Sequence, residues 1–250
     1  MAFHTLFPTF IYQEQLGRPS LTKSLFKQIL SDARGLMRID EQGIEWSRDH
    51  YQNGYTSYGS LDRLHEGFPA FQELAKHLQT HVKRFSKKQS WDLGDGGLEL
   101  VTMWINIMPP GTVHSLHLHP LSVVSGTFYV NTPTGTSPIK FEDPRLDRYM
   151  AQPPRHPSTP TREQPFYTVE PTAGDVVLFD SWLRHEVPQT PAAAKDAGKI
   201  AAKVAGAARS TTARNSRASG NSKNVRSTSR NNEFDLASTR ISVSFNYDWL

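Results

Sequence analysis

Three histidines crowd into one short segment, VHSLHLHP: His114, His117 and His119. Side chains two residues apart on a β-strand point to the same side, so on a strand His117 and His119 could bind one ion together. A third ligand must come from elsewhere, and His185, which follows a buried-looking strand in GDVVLFDSWLRHEVP, is the best candidate. We expect a loop to carry His185 back to the other two. The pattern predicts a three-histidine metal site, and hydrogen-bonded structural histidines are the alternative.

The C-terminal segment RISVSFNYDW alternates between polar and apolar residues over its whole length. Such alternation predicts a β-strand with one face on a hydrophobic layer and the other facing something polar. A polar face that includes arginine and lies in a central strand is typical of a site. Arg240 and Ser242 are therefore candidate site residues, although an ion-pair role for Arg240 and a filler role for Ser242 remain open.

The elements that must position these side chains fall into two groups. The periodicity of apolar residues predicts helices over 21–34, capped by Ser20, and over 68–85, while residues 43–65 resemble a loop with a short strand. From Leu98 onward, six β-branched or aromatic runs predict strands: LELVTMWINIM, VVSGTFYV, PIKFED, FYTVE, DVVLFD and RISVSFNYDW. Helices followed by many antiparallel strands predict a mainly β fold, a sandwich or jelly roll with helices against one sheet.

Charge is distributed unevenly along the 250 residues. The stretch 191–239 holds nine Lys or Arg and three Asp or Glu, a net +6 within an overall +4, which leaves −2 for the rest of the chain. Its Ala-rich beginning and its Ser-, Asn- and Arg-rich continuation bury too little apolar area to fold alone. We expect a basic low-complexity insert over 191–238, with a nucleic-acid-binding arm as the less favoured interpretation.

Composition excludes several classes of protein. The chain has no cysteine, which rules out disulfides, a thiolate zinc site and a cysteine nucleophile. Its apolar runs are far shorter than the roughly 20 residues that span a bilayer. The first residues also lack a secretory signal pattern. A cytoplasmic protein without a membrane partner is therefore expected. Residues 1–97 should form a helical and loop portion that packs on a β core over 98–250, interrupted by 191–238.

Taken together, these motifs resemble the Fe(II)/2-oxoglutarate-dependent oxygenases, whose fold is the double-stranded β-helix, a jelly roll of the cupin type. That superfamily has an HxD or HxE pair, a Gly-Asp turn before a strand, a distal histidine, and Arg-x-Ser. The corresponding residues here are His117-Leu118-His119, Gly174-Asp175, His185 and Arg240-Ile241-Ser242. A branch with HxHP followed by SxxSGxxYV is more similar still. Here that pattern reads His117-Leu118-His119-Pro120 and then Ser122 to Val130.

The resemblance implies a role for each residue. His117, His119 and His185 would be the iron ligands, and no catalytic residue is implied beyond them. Arg240 would pair with the distal carboxylate of 2-oxoglutarate, and Ser242 would add a hydroxyl group. Asn106, in a segment similar to the N-x-Y-x-x-G lead-in of nucleobase demethylases, could hydrogen-bond the co-substrate or merely cap a strand. Trp104 and Trp182 are candidates for the cavity wall, with a core role as the alternative.

Two departures from the superfamily pattern shape the functional hypothesis. His119 replaces the usual carboxylate ligand, and Met108 stands where the lead-in tyrosine is expected. The implied activity is that of a hydroxylase that uses Fe(II), 2-oxoglutarate and O₂ on an unknown small-molecule or protein substrate. The alternatives are a three-histidine cupin-type iron dioxygenase that does not use 2-oxoglutarate, and a non-catalytic metal- or nucleic-acid-binding protein.

Overall fold

The computed structural model describes residues 1–145, 150–189 and 235–250. The predicted insert, 191–238, therefore lies outside the described residues except for its last four. Within the described part of the chain there are four helices: α1 (Pro19–Ile39), α2 (Glu41–His50), α3 (Leu64–Gly67) and α4 (Pro69–Gln89). The strands there are β1 (Ile11–Gln15), β2 (Tyr55–Thr56), β3 (Leu98–Met108), β4 (His114–His117), β5 (Val124–Asn131), β6 (Ile139–Glu142), β7 (Phe166–Val169), β8 (Asp175–Asp180), β9 (His185–Val187) and β10 (Arg240–Trp249).

Two antiparallel sheets share these strands. The large sheet has the order β1-β8-β5-β10-β3-β2 and the small sheet the order β4-β9-β6-β7. From β3 onward the chain alternates between the two sheets, except that the consecutive strands β6 and β7 pair with each other in the small sheet. This is the jelly-roll arrangement, and the predicted mainly β fold with N-terminal helices is confirmed.

The hydrophobic pattern explains how helices and sheets pack. In α1, Leu25, Ile29 and Ala33 are buried as predicted, and the apolar stripe of α4 is buried from Phe71 to Phe85. These side chains form one core with the odd-numbered residues of β10, Ile241 to Tyr247. Burial of each large apolar side chain contributes about 1.5–3 kcal/mol, so this layer fixes β10 in its register.

A second, smaller core lies between the two sheets. Tyr129, Val177 and Phe179 of the large sheet contact Ile139 and Phe141 of the small sheet there. The even-numbered residues of β10 face the same side, because successive residues of a strand point to opposite faces. The space between the sheets therefore combines an apolar floor with the polar face that the alternation in β10 predicts.

Several elements differ from the sequence-based prediction. Residues 43–50, part of the segment 43–65 expected to be loop, belong to α2, whose first turn is capped by the Asp40 carboxylate accepting from the Gly43 amide at 3.0 Å. Helix α1 begins at Pro19 with Arg18 at its N-cap, so Ser20 is not the cap. Strand β1 was not expected either. It extends the large sheet along β8, where Gln13 and Gln15 donate to the Asp175 carboxylate at 2.7 and 2.5 Å.

Within the described residues, no helix combines the length and the apolar composition needed to cross a membrane.

Candidate metal and co-substrate site

The three predicted ligand histidines come together between the two sheets. His117, His119 and His185 each offer one ring nitrogen, and these atoms lie within 4.8 Å of one another. The ring centroids are 4.3 Å apart for His117 and His185, 5.2 Å for His117 and His119, and 5.1 Å for His119 and His185. Among the described residues, no carboxylate belongs to this group.

The elements that carry these histidines differ from the prediction. Strand β4 ends at His117, so His119 lies just beyond it, where its amide donates to the Ser181 carbonyl at 2.9 Å. His185 was expected on a loop, but it begins β9 and is the cross-strand partner of His117 in the small sheet. The pairing of β4 with β9 thus brings His117 and His185 together, and the hydrogen bond from the His119 amide to Ser181 places the third ring beside them.

Each of the three imidazoles has one nitrogen engaged by the protein. The Nδ1 of His117 lies 2.7 Å from the Ser115 carbonyl, and that of His185 lies 2.9 Å from the Leu183 carbonyl. A carbonyl oxygen can only accept, so Nδ1 carries the proton in both rings. His119 Nδ1 likewise lies 2.6 Å from Oδ1 of Asn246. All three Nε2 atoms are therefore left with a free lone pair, which is the tautomer that a metal requires.

Burial keeps these rings neutral. It lowers the pKa of His119 to about 4, and it also lowers the pKa of His117. His185 lies between Phe179 and Phe141, with ring centroids at 4.5 and 5.9 Å, and burial followed by repulsion from His117 puts its pKa well below the usual value. Neutral imidazoles with free lone pairs are ready to bind a divalent cation without first losing a proton.

A hydrogen-bond network on the large sheet orients His119. Ser125 Oγ lies 2.9 Å from His119 Nδ1 and 2.7 Å from Asn246 Oδ1, and the Asn246 amide donates to Thr102 Oγ1 at 2.9 Å. The next residue, Gly126, has no room for a side chain, because a Cβ would lie 2.5 Å from the Phe245 ring. These contacts give physical reasons for the Ser and Gly of the SGxxYV pattern.

Arg240 lies on the same cavity as the histidines, and no acidic side chain of the described residues balances its charge. The residue is only 4% exposed, and none of the acidic side chains of the described residues pairs with it. Its Nη1 contacts Met108 Sδ at 2.8 Å and Ser242 Oγ at 3.3 Å, and its guanidinium carbon lies 5.1 Å from the centroid of the Tyr129 ring. Its Nε has no hydrogen-bond partner.

Other buried polar atoms near Arg240 are also without partners. They are the hydroxyl groups of Thr127, Tyr129 and Tyr51. Thr127 lines the cavity, and the charge of Arg240 acts on both tyrosines. A buried cation and buried donors cost free energy unless something accepts from them. This part of the cavity therefore fits an anion with several acceptor oxygens, as a carboxylate has.

The remaining predicted residues have mixed outcomes. Asn106 lines the cavity, but its amide already accepts from Thr56 and donates to Ser244, both at 2.9 Å, which leaves one N–H free. Trp104 is buried and lines the cavity. Trp182 is 51% exposed and is not among the cavity residues, so both roles considered for it are wrong.

Sequence reasoning missed several residues of the site. His114, in the same histidine-rich segment, is stacked on His117 with centroids 4.1 Å apart and also lines the cavity, but it does not belong to the group of three. Ser125, Asn246 and Thr127 were not singled out either. The polar face of β10 contained the signal for Asn246, and its contact with His119 depends on a register that the sequence does not show.

Comparison with known proteins gives a family match over part of the chain and a shared fold. Residues 102–196 match the family model described as "Putative 2OG-Fe(II) oxygenase". No curated protein matches the chain. A prolyl-4-hydroxylase from Pseudomonas putida is 13% identical, aligned over 97% of this chain and 94% of its own, with a TM-score of 0.54.

A second solved structure shows the same architecture. The non-heme alpha ketoglutarate dependent epimerase SnoN from nogalamycin biosynthesis is 11% identical over 96% of this chain and 76% of its own, with a TM-score of 0.53. The chain covers 58% of the length of an oxidoreductase of the 2OG-Fe(II) oxygenase family from Burkholderia pseudomallei, with 13% identity, 73% of this chain aligned and a TM-score of 0.41. Residues 102–196 are thus similar to the 2OG-Fe(II) oxygenases in sequence, and the chain shares the double-stranded β-helix fold of these solved structures.

Proposed function

We propose that this protein is a non-haem oxygenase, most simply a hydroxylase, that binds Fe(II) through His117, His119 and His185. One observation supports this proposal above all others: three free Nε2 atoms converge beside a buried guanidinium that has no counter-ion. The first feature fits a divalent metal and the second fits a carboxylate. A co-substrate that carries both a metal-chelating end and a distal carboxylate would satisfy both.

In this proposal 2-oxoglutarate is that co-substrate. Arg240 would hold its distal carboxylate, and Ser242 and the free N–H of Asn106 would add hydrogen bonds. When bound, iron and 2-oxoglutarate supply the oxidising chemistry, in which O₂ is consumed as 2-oxoglutarate loses CO₂ to give succinate. The chain's own contribution is to fix the ligand tautomers, to neutralise the carboxylate with a buried cation, and to keep water away with the apolar floor between the sheets.

The three neutral ligands have an electrostatic consequence. A carboxylate in place of His119 would cancel one of the two charges of the metal, whereas an imidazole cancels none. Arg240 adds a further positive charge to the same cavity. The site would therefore attract a dianion such as 2-oxoglutarate more strongly than a site with a carboxylate ligand.

The alternatives explain fewer of these observations. A three-histidine cupin-type dioxygenase that does not use 2-oxoglutarate accounts for the histidines and leaves Arg240 without a purpose. A non-catalytic metal-binding protein does the same. Nucleic-acid binding through the 191–238 insert and a cytoplasmic location stay predictions.

The substrate is proposed only as a class, a small molecule or a protein. The P. putida structure is described as a prolyl-4-hydroxylase, and SnoN has been crystallised with Fe³⁺, alpha ketoglutarate and nogalamycin RO. These two relatives of the same fold thus act on or bind different kinds of molecule. A screen should therefore include both prolyl peptides and polycyclic small molecules.

An anaerobic titration tests the proposal. Metal-free protein is titrated with Fe(II) and then with 2-oxoglutarate, while the visible charge-transfer band of the iron chelate is followed. We expect a saturable band, and succinate once O₂ is admitted. Iron binding without a band would favour the cupin-type alternative. Absence of iron binding would contradict the proposed function altogether.

A further inference from the structure

A file of aromatic rings leads from the histidine cluster to the protein surface. The Trp104 centroid lies 5.7 Å from that of His119, and the Tyr58 centroid lies 5.0 Å from that of Trp104. Trp46 meets Tyr58 edge-on at 6.2 Å. Trp104 is buried and lines the cavity, whereas Tyr58 is 51% exposed. The file thus begins beside the candidate metal site and ends in solvent.

Three separate parts of the chain build this file. Trp104 lies in β3, Tyr58 lies two residues after the end of β2, and Trp46 belongs to α2. Glycine is required at position 59, because a Cβ there would lie 2.6 Å from the Trp46 ring. The Tyr58 amide donates to Thr56 Oγ1 at 3.3 Å, which holds the backbone beside β3.

The geometry suits transfer of electrons. Aromatic rings with centroids 4.5–7 Å apart are in direct contact. Indole and phenol are also the side-chain groups that lose an electron most readily once cysteine is absent, as it is here. Tyr58 is exposed enough to release its phenolic proton to water at the moment of oxidation. Trp104 has no such outlet, because it is buried.

We propose that Trp104 and Tyr58 form an electron path that reduces the metal centre when it has been oxidised in the absence of substrate. The path rests on the proposed function, in which O₂ and 2-oxoglutarate supply the oxidising equivalents. The centre needs two electrons to return to Fe(II), and Trp104 passes them one at a time and regains each from Tyr58. The oxygen atom derived from O₂ takes up two protons from solvent and leaves as water. Tyr58 then loses one electron and one proton, and the proton passes to water. A one-electron reductant in solution, such as ascorbate, restores Tyr58.

This path would protect the cavity. Without it, the oxidising equivalents would remain beside Trp104, and an oxygen atom derived from O₂ would be added to the indole ring. With it, the oxidised group is the exposed phenol of Tyr58, which a reductant in solution can reach. Trp46 packs edge-on against the Tyr58 ring.

The test mixes the Fe(II)- and 2-oxoglutarate-loaded protein with O₂ in the absence of substrate and ascorbate. Electron paramagnetic resonance of rapidly frozen samples detects radicals, mass spectrometry of peptides locates added oxygen, and succinate is measured in the same samples. We expect a tyrosyl radical that is lost in Tyr58→Phe, together with more oxygen added at Trp104 in that variant. Trp104→Phe should also lose the tyrosyl signal.

Trp182→Phe is the matched control, because Trp182 is equally exposed and makes no ring contact with the described residues. It should leave the radical and the Trp104 modification unchanged. If succinate forms and Tyr58→Phe behaves like the unaltered protein in both readouts, the electron path is overturned while the proposed function stands. If neither the charge-transfer band nor succinate appears, the proposed function fails and takes the path with it.

Discussion

The histidine cluster and the Arg240 pocket lie on one cavity, but their polar atoms are satisfied in opposite ways. Each Nδ1 of His117, His119 and His185 already has an acceptor. Around Arg240, by contrast, the guanidinium Nε and the hydroxyl group of Thr127, which lines the cavity, have none among the described residues. The first region is organised before its ligand arrives, whereas the second carries a free-energy cost that a bound anion would remove. A single cavity can thus contain one site built for a cation and one built for an anion.

The largest effect is expected when one of the three metal-binding histidines is removed. We expect His185→Ala to weaken Fe(II) binding by more than about 100-fold, since even the loss of an outer hydrogen bond to a ligand costs up to that factor. Isothermal titration calorimetry of the metal-free protein would measure the change. His114→Gln is the matched control because His114 lies in the same cavity but outside the group of three. Equal losses in both variants would contradict the assignment of ligands.

Arg240→Met should impair anion binding in the Arg240 pocket without changing metal binding by the histidine cluster. A charge-assisted hydrogen bond contributes about 1.5–3 kcal/mol, so we expect 2-oxoglutarate to bind about 10- to 150-fold more weakly while Fe(II) binds as before. The charge-transfer band, titrated with 2-oxoglutarate at saturating Fe(II), gives the affinity.

The same variant has a second expected property. Replacing a buried charge that has no counter-ion with an apolar side chain should leave the ligand-free protein as stable as before or about 1 kcal/mol more stable. Urea unfolding would measure this. A loss of several kcal/mol would mean that Arg240 has a structural role and would contradict the assignment of an anion pocket.

A smaller effect is expected where the histidine cluster meets the large sheet. Asn246→Ala removes the acceptor that fixes the His119 tautomer, and we expect Fe(II) affinity to fall about tenfold. Ser244→Ala is the control, because Ser244 lies on the same face of β10 and bonds to Asn106 rather than to a histidine. Similar metal affinities in both variants would show that Asn246 does not position His119.

A dependence of stability on pH is expected as well. An unfolded histidine takes up a proton near pH 6.5, whereas the pKa of His119 in the fold is about 4. Between these values the unfolded state binds more protons, so the stability of the metal-free protein should fall as the pH drops from 6.5 to 4. The slope is at most about 1.4 kcal/mol per pH unit for each such histidine. Urea unfolding at several pH values should show a shallower slope for His119→Gln, and an unchanged slope would contradict this origin.

Local patterns predicted the parts of the molecule that depend on them. The alternation in RISVSFNYDW matches β10 to the residue, and the strands LELVTMWINIM and DVVLFD match β3 and β8. Strand β1, by contrast, is short and half polar, and its place depends on Gln13 and Gln15 reaching Asp175 about 160 residues away. No periodicity within IYQEQ indicates such a partner.

The helix α2 and the outer contacts of the site escaped prediction for a related reason. Residues 41–50 contain a glycine and lack a regular apolar stripe, and Asp40 is tied to this region by Tyr55 and Ser60, which follow the helix. The types of the three predicted ligands were visible in the sequence. The partner of His119 was not, because Asn246 reaches it only through the pairing of β10 with β5.

The placement of the three histidines on two layers has a consequence for folding. His117 and His185 are neighbours across two strands of the small sheet, while His119 is tied to the large sheet through Ser181, Ser125 and Asn246. Neither sheet alone presents three ligands, so tight metal binding must follow the closure of the two layers onto each other. Metal binding would therefore be a late step in folding. The bound ion would slow the separation of the sheets and lengthen the lifetime of the native state.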